Sequence, residues 1–169
     1  RGGAGGVQHR HDIAALRVPE ALEAAAESGA AVCLMHMQGE PGTMQADPRY
    51  GDVVAEVHDF LAQRVNAARA AGIPTERIIV DPGFGFGKRL AHNLALLREL
   101  AQFAGLGACV LAGLSRKSML GEITGRKVSL RDAASVAAAL LAARNGARIL
   151  RVHDVAATRD ALSLWAAVE

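Results

Sequence analysis

Two cationic or cation-forming side chains stand close together near the C-terminus, in the run Leu150-Arg-Val-His-Asp-Val155. Arg151 and His153 are two residues apart, and residues with that spacing on a β-strand face the same side of the sheet. A guanidinium and an imidazole aimed together make an anion site that suits a phosphate or a diphosphate. The alternative is an ion pair that lines the sheet, with Asp154 as a candidate partner.

A carboxylate opens a loop of glycine, proline and phenylalanine, Val80-Asp-Pro-Gly-Phe-Gly-Phe-Gly-Lys88. At a strand end, Asp81 can accept hydrogen bonds from the paired ring N–H or amino donors that flat heterocycles offer. The alternating glycines let the backbone approach a ligand closely. Their spacing fits neither the Walker phosphate loop nor the dinucleotide-binding fingerprint. The alternative is a strand-to-helix connection that binds no ligand.

Another polar pair, Ser115 and Lys117, follows a third apolar run. Lys117 can donate a hydrogen bond to a ligand acceptor, whereas Arg116 between the two is predicted to point elsewhere. A lysine in a solvated loop, without a ligand, is the alternative for Lys117.

Met35 lies next to His36 and fits the role of a core filler. The sequence contains neither a Ser-His-Asp nor a Cys-His pattern nor a metal-ligand cluster, so it does not predict nucleophilic or metal-centred catalysis.

Apolar runs and amphipathic segments alternate along the chain. The predicted strands cover about residues 31–36, 77–80, 108–114 and 149–152, with a possible strand end at 11–13, and the predicted helices cover about 19–28, 52–71, 89–104, 131–145 and 155–168. This order indicates an α/β fold with a parallel sheet. The polar residues follow the carboxyl ends of the strands, where such sheets place their sites. An open sheet and the last four to five βα units of a (β/α)8 TIM barrel of about 250 residues both fit.

The composition is that of a globular protein, with 51% apolar residues and a net charge of +2 over 169 residues. So small a charge gives no support for nucleic acid or a membrane surface as a partner, and no apolar run reaches the length of a membrane span, about 18 residues.

Cys33 and Cys109 lie in predicted buried strands, which indicates free thiols and a cytoplasmic location. Residues 1–10 are predicted to be irregular and residues 11–169 to form one domain. Because the chain does not begin with Met, we expect either a fragment of a longer protein or a damaged start.

Four motifs occur along the chain in a recognisable order and spacing. They are Val32-Cys-Leu-Met-His-Met-Gln-Gly39, the loop from Val80 to Lys88, Gly113-Leu-Ser-Arg-Lys-Ser118 and Leu150-Arg-Val-His-Asp-Val155. Together they resemble the dihydropteroate synthase family of bacterial type, and the resemblance runs from about His11 to the C-terminus. It implies a pterin-binding (β/α)8 barrel of folate synthesis. Such a transferase joins p-aminobenzoate to 6-hydroxymethyl-7,8-dihydropterin diphosphate and releases diphosphate.

The resemblance also implies roles for individual residues. Asp81 and Lys117 would hold the pterin ring, with Met35 packing in its pocket, while Arg151 and His153 would hold the diphosphate. Fixed cations there would stabilise the charge that grows on the leaving group in the transition state. Mg²⁺ as a cofactor, a homodimer and a response to sulfonamides are further properties that the resemblance implies.

The aminobenzoate pocket would be bordered by Phe86, Ser115 and Lys117. His11 stands where the family usually has an Asn that contacts the pterin. The implied substrate-binding residues are His11, Met35, Asp81, Phe86, Gly113, Ser115, Lys117, Arg151 and His153, and the implied catalytic residues are Lys117, Arg151 and His153.

The match departs from the family's pattern near the N-terminus. A glycine-rich run at residues 5–10 stands where an apolar strand is expected. The family's first three strands, with its metal-binding Asn, two mobile loops and second pterin-holding Asp, have no counterpart in this sequence. We therefore hypothesise that the chain alone binds substrate weakly, and its activity without the first strands stays open. The alternatives are an inactive half-barrel fragment with a residual pterin and diphosphate site, or a methyltetrahydrofolate-binding domain. The motifs that contain Lys117 and Arg151 argue against the second alternative, because a methyl donor carries no diphosphate for them to hold.

Overall fold

Five parallel strands alternate with six α-helices in the computed structural model, which describes residues 9–12, 19–40 and 42–169. The strands are β1 (His9–Asp12), β2 (Ala31–Met35), β3 (Ile78–Asp81), β4 (Cys109–Ala112) and β5 (Ile149–Leu150). The helices are α1 (Pro19–Glu27), α2 (Val53–Ala70), α3 (Leu90–Arg98), α4 (Ser118–Thr124), α5 (Asp132–Arg144) and α6 (Val155–Val168). Within these residues, none of the helices combines the length and apolar character needed to cross a bilayer.

The strand order decides between the two architectures that the sequence allows. The strands lie side by side in chain order, and each neighbouring pair is parallel. Crossovers between parallel strands are almost always right-handed, so an order that never reverses places the connecting helices on one face. A doubly wound open sheet reverses its order and has helices on both faces. The predicted fold class, consecutive βα units of a (β/α)8 barrel, is confirmed.

The side chains of the strands point alternately to opposite faces of the sheet, and they belong to two separate apolar clusters. Leu34 and Val80 belong to the main core, which includes the buried faces of α2, α3, α4 and α5. The alternate residues Cys33, Ile79 and Leu111 form a second, smaller cluster. Because strand side chains alternate between faces, residues two positions further on continue along the face of this second cluster. Those residues are Met35, Asp81 and Gly113, and the first two are paired in the β2–β3 register.

Two helical segments differ from the sequence prediction. The helix predicted at 89–104 ends as α3 at Arg98, and a 3₁₀ helix, Leu100–Leu106, follows it. Glycines at 105 and 107 disfavour continuation of the α-helix. Helix α4 was not predicted, since it has only seven residues and contains Gly121. Burial of Met119 and Leu120 stabilises it through tertiary contacts.

The first and last strands also differ from the prediction. Strand β1 begins at His9, within the segment predicted to be irregular, and residues 1–8 lie outside the described part of the chain. Strand β5 contains only Ile149 and Leu150, so Arg151 and His153 lie beyond its end. Strand alternation therefore does not aim these two side chains together, and that prediction is wrong.

Candidate functional site

A pocket of about 480 Å³ lies at the carboxyl ends of the strands. This volume is within the range of small-molecule sites, about 300–1,000 Å³. Its lining residues are Met35, Phe86, Gly113, Ser115, Lys117, Arg151, Val152 and His153. All of them except Val152 belong to the set that the sequence singled out. Residues up to 118 positions apart in the chain thus meet at one site, as the parallel-sheet argument predicts.

Asp81 lies directly behind this pocket, at the end of β3. Its side chain is 1% exposed, and its two oxygens accept from the Arg151 guanidinium at 3.1 Å and from the Gly83 backbone N–H at 2.8 Å. Arg151 is 41% exposed and lines the pocket. The guanidinium therefore lies between a buried carboxylate and the open pocket. The alternative interpretation of Arg151 was an ion pair, and one is present, but its partner is Asp81. The candidate partner Asp154 instead accepts from the Ala157 N–H and caps α6.

Gly113 supplies the space that the guanidinium occupies. A Cβ at Gly113 would lie 2.7 Å from Nη2 of Arg151 and 3.0 Å from its Nε. Any side chain at the end of β4 would therefore push the arginine away from its present position. The predicted place of Gly113 in the site thus has a steric reason, which is room for Arg151 rather than a contact through a side chain of its own.

His153 is held by a different neighbour from Arg151. Nδ1 of its ring lies 2.9 Å from the Ser115 hydroxyl, and its backbone N–H donates to the same oxygen at 3.3 Å. Ser115 is buried at the end of β4, and this pair joins the loop after β4 to the loop after β5. Arg151 and His153 therefore reach the same pocket from different anchoring contacts and not through strand alternation.

Lys117 completes the polar side of the pocket. Its Nζ lies 4.1 Å from the centre of the Phe86 ring, within the range of a cation–π contact. Burial lowers the pKa of Lys117, the nearby charge of Arg151 acts in the same direction, and Asp81 opposes both. Arg116 turns away from the pocket, as predicted, and pairs through Nε with Asp132 at 3.0 Å.

The loop from Val80 to Lys88 is held in its conformation by its last residue, Lys88, whose role was not predicted from the sequence. The residue is 4% exposed, and its Nζ lies 2.9 Å from Nδ1 of His36 and 3.0 Å from the carbonyl oxygens of Gly83 and Phe86. Three acceptors match the three donors of an ammonium group. Burial lowers the pKa of Lys88 to about 7, although the charge of Asp81 opposes that shift. A lysine directly after a glycine-rich loop was the signal that could have found it.

Gly83 is required for this loop to pack against β2. Its φ is 73°, and a Cβ there would overlap the carbonyl oxygen of His36. His36 ends the predicted β2 segment, but it is buried beside Lys88 and Phe60 and does not line the pocket. The loop thus owes its shape to a close backbone contact that only glycine permits.

Two predictions on this site remain untested. His11 lies in β1 and is paired in register with Cys33, but its side chain lies outside the described residues. No group of three His, Cys, Asp or Glu side chains that could hold a metal occurs within the described ranges. Asp81 is already engaged by Arg151 and Gly83. These residues do not fit a protein-held magnesium ion, and Mg²⁺ stays a prediction.

Comparison with known proteins gives consistent matches. A family model described as "Pterin binding enzyme" matches residues 6–153. The dihydropteroate synthase of Haemophilus influenzae is 53% identical over 157 residues, which are 93% of this chain and 57% of that protein. The chain therefore spans little more than half the length of this curated relative.

Two solved structures show the same likeness. The dihydropteroate synthase from Stenotrophomonas maltophilia, with imidazole bound in its active site, has a TM-score of 0.92 at 60% identity, over 96% of this chain and 62% of that one. The enzyme from Xanthomonas albilineans in complex with 7,8-dihydropteroate has a TM-score of 0.89 at 54% identity, over 96% and 61% of the two chains.

Proposed function

The chain belongs to the pterin-binding enzyme family, and from that premise we propose that it provides the C-terminal part of a dihydropteroate synthase. The proposed reaction condenses p-aminobenzoate with 6-hydroxymethyl-7,8-dihydropterin diphosphate and releases diphosphate. The observation that carries the proposal is the convergence of Lys117, Arg151 and His153 on one pocket, with the Asp81 carboxylate buried behind it. The match to an enzyme in complex with 7,8-dihydropteroate supports the same ligand class here.

Arg151 and His153 are suited to the diphosphate end of the substrate. The guanidinium is half-exposed toward the pocket and carries a permanent charge. When the amine nitrogen attacks the exocyclic methylene carbon, the C–O bond to diphosphate breaks and negative charge grows on the departing oxygen. Cationic donors already fixed beside that oxygen stabilise the transition state more than the ground state.

Asp81 is suited to the pterin ring, but Arg151 covers it. A carboxylate with a side-chain exposure of 1% cannot receive a ring N–H or amino group until the guanidinium moves. The diphosphate oxygens of the same substrate offer the guanidinium a new partner. We infer that binding of the intact substrate transfers Arg151 from Asp81 to the diphosphate and thereby opens Asp81 to the ring. Free pterin, which lacks the diphosphate, would leave Asp81 covered and bind less tightly.

Phe86, Ser115 and Lys117 are suited to border the p-aminobenzoate. Phe86 offers an aromatic ring, and Lys117 lies above that ring with its amino group partly withdrawn from water. A charge in such a site acts more strongly than one in bulk water. Mg²⁺, which the family resemblance implies, would help to neutralise the diphosphate when bound.

A product assay tests the proposal on the 169-residue polypeptide itself, with both substrates and Mg²⁺. Turnover that Arg151→Ala removes and Arg98→Ala preserves would support it, since Arg98 is exposed on α3 away from the pocket lining. Binding of 7,8-dihydropteroate without turnover would favour the half-barrel alternative, which retains a ligand site but is inactive. Failure of both turnover and binding would overturn the proposed function for this chain.

We also propose a homodimer as the assembly. Among the described residues, the exposed large apolar side chains all lie on α4, on α5, on α6 or in the 3₁₀ helix before α5; they are Ile123, Val128, Leu130, Leu141, Val155, Leu164 and Val168. Exposed apolar side chains concentrated on one part of a chain are typical of protein interfaces. Sedimentation that finds only monomer at high concentration would contradict this proposal.

A cytoplasmic location is the last part of the proposal. Cys33 and Cys109 are free thiols, and burial raises the pKa of Cys33 to about 12. Unpaired, unreactive cysteines fit a reducing compartment.

The net charge of +2 supports small-molecule substrates rather than nucleic acid as ligands.

A further inference from the structure

The turn that leads into Lys117 has an unusual backbone. Arg116 is the one non-glycine residue with a positive φ, 58°, among the residues that the structure describes. For a residue with a Cβ, this left-handed conformation costs about 1 kcal/mol or more. Lys117 follows immediately, so the direction of its side chain depends on Arg116 staying in that conformation.

Side chains at the start of α5 hold Arg116 there. Nη1 of Arg131 donates to the carbonyl oxygens of Arg116 at 3.1 Å and of Lys117 at 3.2 Å, and its Nε donates to the carbonyl of Arg126 at 3.0 Å. The backbone N–H of Arg116 donates to the Ser135 hydroxyl at 2.9 Å, which itself donates to the Arg131 carbonyl at 2.7 Å. Both peptide groups of the strained residue are thus held by side chains, one from Arg131 directly before α5 and one from Ser135 in its first turn.

Helix α4 leaves room for the Arg131 guanidinium. A Cβ on Gly121 would overlap Nη2 and Cζ of Arg131. Glycine inside a helix costs about 1 kcal/mol relative to alanine. Close approach of the guanidinium is therefore the physical reason for a glycine at this position, and Gly121 and Arg131 fit as a pair.

We propose that Arg131 is a positioning residue for the pocket: through the carbonyl oxygens of Arg116 and Lys117, it fixes the turn that places Lys117 over the Phe86 ring. Its importance for the dihydropteroate synthase reaction rests on the proposed function. The placement of Lys117 does not, and it can be measured without any substrate.

The first measurement uses the small number of lysines. The chain contains three, Lys88, Lys117 and Lys127, so ¹³Cε-lysine labelling gives three NMR signals that single Lys→Arg substitutions assign. In the unaltered chain, the Lys117 signal should show the ring current of Phe86 and a lowered pKa. Arg131→Met keeps an apolar stem but removes the donors. It should abolish the ring-current shift and raise the pKa of Lys117 toward 10.5.

Two alanine substitutions provide a matched control pair. Gly121→Ala should displace the guanidinium and reproduce the change in the Lys117 signal. Gly105→Ala makes the same substitution where, apart from its own chain neighbours, no atom of the described residues lies within 4 Å of the new Cβ and φ is not positive, so the Lys117 signal should stay unchanged. Because both perturbations act through Arg131, Gly121→Ala combined with Arg131→Met should shift Lys117 no further than Arg131→Met alone.

Ligand binding provides the functional readout. Loss of the positioning hydrogen bonds should weaken binding of 7,8-dihydropteroate about tenfold in Arg131→Met, with Arg131→Lys intermediate because fewer donors remain. An unchanged Lys117 signal in folded Arg131→Met overturns the proposal. Unfolding of Arg131→Met, Arg131→Lys and Gly121→Ala alike also overturns it, since Arg131 would then stabilise the fold in general. A shifted Lys117 signal in a chain that binds no dihydropteroate supports the positioning role and refutes the proposed function instead.

Discussion

Replacing Lys88 by Met should remove a pH dependence from the stability of this protein. The Lys88 side chain is almost fully buried, and burial lowers its pKa from 10.5 to about 7. Met has a similar length but no titrating group. The variant also loses the hydrogen bonds to Gly83 and Phe86, so it should be less stable than the parent. The informative quantity is how the difference between the two chains changes with pH.

The sign follows from the proton count. Below pH 7 both the folded and the unfolded chain carry the Lys88 proton, and this group adds no slope. Between about 7 and 10.5 the unfolded chain keeps the proton while the folded chain loses it, so the free energy of unfolding rises with pH. The contribution is fully present above 10.5 and is lost as the pH falls through about 7. At about 1.4 kcal/mol per pKa unit, the rise between pH 7 and about pH 9 is about 2 kcal/mol.

Urea unfolding of the unaltered chain, Lys88→Met and Lys127→Met across this pH range tests the reasoning. Lys127 is exposed, so Lys127→Met should keep the pH dependence of the unaltered chain. The advantage of the unaltered chain over Lys88→Met should grow by about 2 kcal/mol from pH 7 to about pH 9. Parallel curves for all three proteins would refute the argument. If Lys88→Met is too unstable to measure, a ¹³Cε titration midpoint of Lys88 near its usual 10.5 would refute it equally.

Three further substitutions have defined outcomes. Gly83→Ala should destabilise the fold by about 3 kcal/mol in thermal unfolding, because it combines a positive φ with overlap on the His36 carbonyl; a loss no larger than that of Gly105→Ala would contradict the close contact. Arg151→Ala should weaken binding of the pterin diphosphate by about tenfold or more but not that of free pterin, for which it uncovers Asp81, and equal losses in calorimetry would argue against its role. Asp52→Ala removes the N-cap carboxylate that accepts from two backbone N–H groups of α2. It should lower the free energy of unfolding by about 1 kcal/mol in urea, and an unchanged midpoint would show that the cap is replaceable.

Local pattern placed Ser115 and Lys117 at the edge of the sheet where the candidate site lies, whereas Phe86 and Gly113 were identified through the family resemblance. The apolar runs before Asp81 and Ser115 identified buried strands, and parallel strands bring their carboxyl ends to one edge whatever the lengths of the connections between them. Met35 and Lys117 therefore meet in one pocket although neither is close to the other in the chain. The direction of the strands alone is sufficient for this convergence.

Local pattern could not identify the partners of these residues. Arg151 pairs with Asp81, 70 positions away, rather than with the neighbouring Asp154. The early end of β5 depends on its pairing with β4, and the seven-residue helix α4 depends on burial of its side chains. Such contacts depend on how elements pack, which periodicity within a single segment does not report.

The amino-acid sequence by itself determined the order of strands and helices, the edge at which polar groups gather and the residue types available there, because these follow from periodicity and from the geometry of parallel strands. Tertiary structure alone decided that a guanidinium covers the Asp81 carboxylate, that a buried ammonium supports the glycine loop and that Arg131 fixes the turn before Lys117. The physical reason is that hydrogen bonds and ion pairs act over about 3 Å, and only the packed chain brings distant residues that close.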